Sequence, residues 1–355
     1  MQPETYYTKP CGGIMFKRHI IVFSILLMLI LPYALSGISQ ATMLFLTFEP
    51  GARANAMGRA YSAIADDAYA MWWNPGAAAF NKNTQIAATH IPWLQGSGID
   101  DIFYEYLGFN NYFYGIGNIN AHVIWLDAGT QPQTSSQDVN LGDFHTYEVA
   151  GALGYGYEVV PEKIGLGGNF KLLYSYLGPG TGLTETEGSA FSFAFDAGVL
   201  FKDVAVDNFN ASVVIQNIGP NVTYVDKDQS DPAPMTFRAG LGYTVFDNPM
   251  GRLITTAEMS KILANDDPLY ERFITGWKYF DETIYGVGAE YTYLNLIALR
   301  GGYYSDQAGE VEGASFGVGV HYKFSNRYKL GFDFAMVPAG GLTNYNKIFS
   351  LGFEF

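Results

Sequence analysis

The 355-residue chain contains one cysteine, Cys11, and little charge: Asp, Glu, Lys and Arg make up 15% of it, against about 25% in soluble domains. A lone thiol excludes a disulfide framework and a cysteine-rich metal site. Cys11 precedes an apolar run instead of ending one, so it is not a lipoprotein cysteine. Long hydrophobic stretches are also missing. Beyond residue 41 there is no run of 18 or more apolar residues, which argues against transmembrane helices. Basic residues are few. Removal of residues 1–41 takes away Lys9, Lys17 and Arg18 against Glu4 alone, leaving 17 basic and 33 acidic residues, a net charge of −16. Nucleic acid is thereby excluded as a partner, because binding its phosphates needs clustered Lys and Arg.

Reactive constellations are absent as well. The histidines beyond the N-terminal region, His90, His122, His145 and His321, stand singly and without His-Glu-x-x-His spacing, so no metal site is expected. Nothing positions a nucleophile beside His122 or His145, the two candidates for a rim histidine, and no catalytic residue or cofactor is assigned. Gly165-Leu166-Gly167-Gly168 and Gly286-Val287-Gly288 are not a phosphate loop, which requires a strand-to-helix turn; they read as small residues for close packing on strands. The acid groups Asp226, Asp228, Asp231 and Asp266, Asp267 lack the Gly and terminal Glu of a calcium loop and read as solvated loops.

What the chain has in quantity is aromatic side chains and glycine: 26 Tyr, 26 Phe and 41 Gly. They are arranged with a period of two. In the last seven residues Phe349, Leu351, Phe353 and Phe355 alternate with Ser350, Gly352 and Glu354, so a strand here has one greasy face and one lean face. Phe191 to Ala197, Phe316 to Phe324 and Leu330 to Met336 repeat the pattern. A soluble sandwich would carry Lys, Glu and Thr opposite its greasy face; this many Gly, Ala and Ser indicates a crowded interior, with the greasy face turned to lipid. The reading is an all-β transmembrane barrel, whose strands need only about 9–11 alternating residues.

Fourteen strand centres follow: 86–92, 103–109, 115–125, 147–157, 164–176, 191–201, 211–217, 237–245, 253–260, 284–293, 297–304, 316–324, 330–336 and 348–355. An even count returns both ends of the chain to the periplasmic side. Residues 273–280 would supply a further strand, but mixed acids and aromatics without strict alternation favour a loop insertion. Phe280 to Thr283 and Ser325 to Arg327 read as short turns; Asp127 to Phe144, Leu177 to Ser189, Gly219 to Pro234 and Ile262 to Arg272 read as long outer loops.

Three segments separate by pattern. Residues 1–41 read as an N-terminal extension plus cleaved signal peptide: Lys17 and Arg18 precede the apolar run Ile20 to Leu35, and Ser39-Gln40-Ala41 is a small-x-small cleavage site that makes Thr42 the mature start. Translation from Met15 would remove the uncharacteristic extension. Residues 42–83, rich in Ala and Gly with little alternation, read as a compact plug, with Asp66 and Asp67 capping its second helix. Residues 84–355 form the barrel. An Arg53 buried in such a lumen has to be paired, and Asp66 or Asp67 is the nearest candidate.

The plug carries Gly51-Ala52-Arg53, Met57-Gly58, Ala65-Asp66-Asp67-Ala68 and Trp73-Asn74-Pro75. These blocks resemble the opening of the PorV/PorQ family. Gln216-Asn217-Ile218-Gly219-Pro220, Pro234 to Gly240, Gly288 to Tyr291 and Val337 to Gly340 follow in the order of that family. Gly76 departs from it, standing where Ala commonly follows Asn-Pro. The resemblance implies a FadL-like barrel of fourteen antiparallel strands in the outer membrane of a Gram-negative-type bacterium. It also implies a part in type IX protein secretion, with secreted cargo carrying a C-terminal sorting domain, and translocon and attachment-complex proteins, as partners beside outer-membrane lipid. The alternative on the same fold is a FadL-like transporter of hydrophobic small molecules. For partner contact the acidic, aromatic-bearing loop with Tyr224, Asp226, Asp228 and Asp231 is the candidate, since such a surface suits basic partners. The closing strand with Phe349, Leu351, Phe353 and Phe355 is the candidate element for barrel assembly.

Overall fold

A computed structural model describes residues 41–93, 101–135, 139–180, 187–278, 280–324, 327–341 and 345–355. The signal-peptide reading therefore falls outside the described residues, apart from its last position. Fourteen strands form a closed antiparallel barrel in which each pairs with its chain neighbours and the last with the first. They are β1 (Gln85–Pro92), β2 (Phe103–Phe113), β3 (Gly117–Thr134), β4 (Asn140–Val160), β5 (Ile164–Gly178), β6 (Gly188–Phe201), β7 (Phe209–Ile218), β8 (Thr236–Asn248), β9 (Gly251–Ile262), β10 (Ile284–Tyr293), β11 (Ile297–Asp306), β12 (Val311–Phe324), β13 (Tyr328–Pro338) and β14 (Tyr345–Glu354). The seam joins Gln85 to Glu354 and His90 to Phe349. All fourteen expected centres lie on strands.

Side-chain alternation dictates which face meets lipid. On β6, Ala190, Ser192, Ala194 and Asp196 are buried in the lumen while Phe191, Phe193 and Phe195 are exposed. On β14, Ser350 is buried and Leu351 is 54% exposed. Barrel closure satisfies the main-chain groups that an open edge would leave bare in lipid. Among the described residues no helix is long and apolar enough to cross a membrane.

Both termini of the barrel and the short turns, such as 114–116, 161–163 and 249–250, lie at one end, the inner end; long connections occupy the outer end. Trp125 stacks on Tyr147 at 5.0 Å, and Tyr174 and Tyr176 lie 6.0 and 5.7 Å from Tyr147. All four belong to the lipid-facing series of their strands, so they form part of the outer aromatic girdle.

Three expectations are corrected. Residues 127–144 are mostly strand: β3 and β4 continue as a paired hairpin from Thr130–His145 to Thr134–Asn140. Above the membrane such a hairpin has no greasy face to betray it. Phe280 to Thr283 is not a short inner turn but the end of the long outer connection from β9 to β10, which also carries a helix at Leu269–Thr275. Third, the plug helix at Ala70–Trp73 starts from Tyr69 without a direct side-chain cap; of the two acids expected to cap it, Asp67 holds the turn leading into it by accepting the Tyr69 N–H, and Asp66 pairs with Arg53 instead.

The plug consists of a 3₁₀ turn (Leu44–Thr47) and three short helices, α1 (Ala52–Ala56), α2 (Ala70–Trp73) and α3 (Pro75–Ala78). Helices of four or five residues have no stability of their own. Packing holds them. Ala52, Ala56, Met57, Trp72 and Trp73 are each 0% exposed, and wall glycines let the plug backbone approach very closely. Gly58 has φ +64°, and a Cβ there would strike the carbonyl oxygens of Val287 and Tyr303. A Cβ on Gly288 would strike the Met57 carbonyl, and one on Gly167 the Pro75 carbonyl. The glycine clusters on β5 and β10 are thus seats for the plug.

Candidate functional site

Two ionic knots fasten the plug to the wall, one in each half of the lumen. In the inner half, Arg53 of α1 donates to both carboxylate oxygens of Glu290 on β10, 2.8 Å each, and to Tyr61 Oη at 2.9 Å. It also pairs with Asp66 and lies 3.6 Å from Asp67. Glu290 accepts in turn from Arg300 on β11 at 2.6 Å, and Arg300 reaches Asp333 on β13 at 2.6 Å. His321 on β12 lies 3.0 Å from the same Asp333 oxygen. The expected Arg53–Asp66 pairing is present, and the wall acid Glu290 adds a two-pronged contact.

Asp67 does other work. Its carboxylate accepts from Tyr61 Oη at 2.6 Å and from the Tyr69 N–H at 3.0 Å. The two neighbouring acids are tuned in opposite directions. Enclosure raises the Asp66 carboxyl, but Arg53 and Arg252 outweigh it and hold Asp66 below the ordinary carboxylate range. For Asp67, enclosure and the adjacent Asp66 charge outweigh Arg53 and hold it above that range. Enclosure alone would lower the Arg53 pKa; Asp66 and Glu290 reverse this and keep the guanidinium charged.

In the outer half, Arg238 of β8 donates to Glu258 on β9 at 3.0 Å, to Glu49 of the plug at 3.1 Å and to Gln216 on β7 at 2.8 Å. Glu258 accepts from the plug N–H groups of Tyr61 and Ser62 at 3.1 and 2.8 Å. Arg59 lies over the Tyr304 ring at 4.0 Å with Glu49 3.3 Å away. Each guanidinium of these two knots is matched by acids, the condition for keeping such a charge out of water.

Smaller polar contacts complete the fastening. Asn74 caps α3 by accepting the Gly76 N–H at 2.9 Å and donates to the Ser62 carbonyl at 2.9 Å. Pro75 follows at the first helical position, where its missing N–H costs nothing. Trp73 Nε1 donates to the Pro50 carbonyl at 3.0 Å, and the Gly51 N–H donates to Thr89 on β1 at 3.2 Å. Gly51, Arg53, Met57, Gly58, Asp66, Asp67, Trp73, Asn74 and Pro75 therefore belong to one fastening system.

Separate cavities lie above and below it. One of ≈ 200 Å³ in the inner half is lined by Arg53, Asp66, Arg252, Glu290, Asp333 and Glu354. Another of ≈ 230 Å³ opens at the outer mouth, with Phe48, Trp93, Tyr104 and Ile348 around Arg59 and Arg238. The two share no lining residue, and Trp72, Trp73, Tyr61 and Met57 are buried in the plug that occupies the lumen with them.

The acidic loop divides. Asp226, Asp228 and Asp231 are exposed at the outer end. Tyr224 instead turns inward and donates to Ser175 Oγ at 3.0 Å, so it anchors the loop. In β14, Leu351 and Phe355 face outward with Phe349 and Phe353 on the same face, while Ser350 accepts the Ala52 N–H at 2.8 Å. Sequence reasoning missed Glu290, Arg300, Asp333, Arg238, Glu258 and Glu49. The available signal was charge on lean strand faces, as in Gly286-Val287-Gly288-Ala289-Glu290, where Gly286 and Gly288 share the interior face with a single acid.

Comparison with known proteins fits this architecture. The profile of the family described as "Type IX secretion system protein PorV" matches residues 36–269. No curated protein matches the chain. Among solved structures, the toluene transporter TodX of Pseudomonas putida aligns with a TM-score of 0.52 at 12% identity, covering 90% of this chain and 98% of its own. The monoaromatic hydrocarbon channel CymD gives 0.52 at 12% identity, covering 86% and 96%. At that identity the likeness shows a shared fold, the FadL-like outer-membrane barrel. With the profile spanning the plug and the strands through β9, the chain belongs to the PorV family of outer-membrane proteins.

Proposed function

We propose that this chain is a non-enzymatic component of type IX secretion, binding secreted cargo by its C-terminal sorting domain at the outer face of the barrel. Family membership supports the reading, and one structural observation carries it beyond membership: the plug is tied to the wall by ion pairs in both halves of the lumen. Passage through the lumen would require breaking buried pairs, at a cost of several kcal/mol each. Binding at the outer mouth requires none of this. There the long connections, the exposed acids Asp226, Asp228 and Asp231 and the outer cavity are all available to a partner.

The second reading, transport of hydrophobic small molecules, draws on the aromatic lining of that cavity, Phe48, Trp93 and Tyr104. Copurification from native membranes separates the two. Retention of proteins that carry sorting domains is the expected result; bound lipid or hydrocarbon without any such protein would overturn the secretion role.

A further inference from the structure

In the outer half of the barrel wall the ladder between β6 and β7 is interrupted. β6 pairs with β5 along its length, from Phe201–Ile164 to Ser189–Tyr176. On its other side it pairs with β7 only from Phe201 to Phe195. Residues 189–194 of β6 thus have a sheet neighbour on one side alone.

The sequence block Gln216-Asn217-Ile218-Gly219-Pro220 makes this break. Asn217 adopts φ +59°, which bends β7, and the register slips between Phe195 and Ala197. A buried polar cluster fixes the bend. Lys171 pairs with Asp196 at 2.9 Å and donates to Asn217 Oδ1 at 2.8 Å, and the Asn217 N–H donates to Asp196 at 2.9 Å. Gly219 then crosses against β6, where a Cβ would come within 2.5 Å of the Phe193 carbonyl oxygen. Pro220 has no N–H with which to continue a ladder. The chain turns instead into the lumen mouth, burying Val222, Ala233 and Met235.

The bare groups can be identified. Lys202 N–H donates to the Lys163 carbonyl, so even-numbered residues of β6 bond to β5 and odd-numbered ones point toward β7. The main-chain N–H and C=O groups of Phe191 and Phe193 therefore point to this side; Gly219 closes off the Phe193 carbonyl, and among the described residues no main-chain hydrogen-bond partner meets the groups of Phe191. Their depth matters. Phe191 is paired on β5 with Tyr174 of the outer girdle and Phe193 with Leu172 one step deeper, so the gap opens at the outer interface and borders the hydrocarbon, where unpaired peptide groups are costly.

We infer that the edge of β6 at Phe191, on the outer side of Gly219, is a docking edge for an extended strand of a partner, which continues the interrupted ladder by strand addition. The chemistry specifies the occupant. It is an extended segment of about five residues, with bulky apolar side chains on the face continuing that of Phe191, 70% exposed, and small ones on the face continuing Ala190, Ser192 and Ala194. This rests on the secretion reading, in which the occupant is a strand of the cargo sorting domain.

Phe191→Pro and Phe191→Ala test it in the native host, with a sorting-domain cargo as probe and barrel folding followed by resistance to SDS at room temperature. Proline removes the N–H aimed at the gap and leaves the β5 ladder intact; alanine keeps the N–H and removes the ring. The expected result is at least a tenfold loss of retained cargo in Phe191→Pro and near-normal retention in Phe191→Ala. Normal retention by a folded Phe191→Pro barrel overturns the docking edge alone. If the wild-type barrel retains no cargo, the secretion reading falls and the inference with it. A photoreactive p-benzoylphenylalanine at position 191 provides a measurement independent of proline's effect on folding. Adducts to a strand of the sorting domain are expected; adducts only to lipid, or to a second copy of this chain, overturn the inference.

Discussion

Glu290 holds Arg53 with both carboxylate oxygens at 2.8 Å, which joins a barrel strand to the first helix of the plug through a two-pronged, charge-assisted contact. Arg53→Ala removes the plug's half of it. Arg300 still reaches Glu290, so the loss should fall at the low end of the roughly 3–5 kcal/mol typical of breaking a buried pair. Limited proteolysis of residues 42–83 in detergent reads this directly, and unchanged protection would show that the bridge does not pin the plug.

Gly58 and Gly76 answer to different constraints. Gly58→Ala combines left-handed backbone with a collision against two wall carbonyls, so a loss of about 2–4 kcal/mol is expected. Gly76→Ala has ordinary backbone but meets the carbonyls of Gly198 at 2.6 Å and Gly165 at 2.7 Å; about 1–3 kcal/mol is expected. The temperature at which the folded band converts on SDS gels should drop for both, more for Gly58→Ala. A neutral Gly76→Ala would mean that α3 can shift away from the wall.

The grip of the plug should respond to acid late. The folded-state carboxyl of Asp66 is lowered, so its contribution is complete above the ordinary carboxylate range and is lost as pH falls through the lowered value. Asp67 is raised; its contribution is complete below the ordinary range and declines as pH rises through the raised value. Opposed neighbours flatten the profile. Protease protection of the plug should not weaken as pH falls from about 8 to about 5 and should weaken only below about pH 4; a loss of protection on acidification with a midpoint near pH 6 would contradict this assignment.

Lys171 and Asp196 are both almost wholly buried. Lys171→Met strands the Asp196 charge and should cost about 3–5 kcal/mol, with much of that recovered in Lys171→Met combined with Asp196→Asn. Urea titration of the detergent-solubilised barrel measures the cycle. A loss in the double variant equal to the sum of the losses in Lys171→Met and Asp196→Asn alone would deny that the two are coupled.

On the lipid face, Phe170 lies between Leu166 near the inner end of β5 and Tyr174 of the outer girdle, and it is 40% exposed. Phe170→Arg should destabilise the barrel by about 2–4 kcal/mol, as a charge near mid-membrane does. Refolding into lipid vesicles tests it; an insignificant effect would place this face in water.

The strands were legible because lipid enforces alternation. Phe349 to Phe355 and Phe191 to Phe201 announce themselves, since a misplaced polar residue on the outward face is costly. Legibility faded where that pressure ends. The upper part of the β3–β4 hairpin, residues 130–134 and 140–145, is wet on both faces and read as loop. Arg53 was recognised as needing a carboxylate, and Asp66 lies close to it in the chain; Glu290 comes 237 positions later, and only barrel closure brings it near. The Gln216 to Pro220 block stood out as a motif, but its effect on the β6 ladder depends on Lys171 and Asp196 of other strands.

The wall glycines leave almost no clearance around Met57, Gly58, Pro75 and Gly76, which constrains the order of biogenesis. A segment sunk between opposing backbones cannot be threaded in after the cylinder has shut, so the seam between β1 and β14 has to zip around a plug already in position. The plug, made before every strand of the barrel, thus waits for the last of them. In a pulse-chase experiment, protease resistance of the plug and SDS resistance of the whole protein should emerge in the same step.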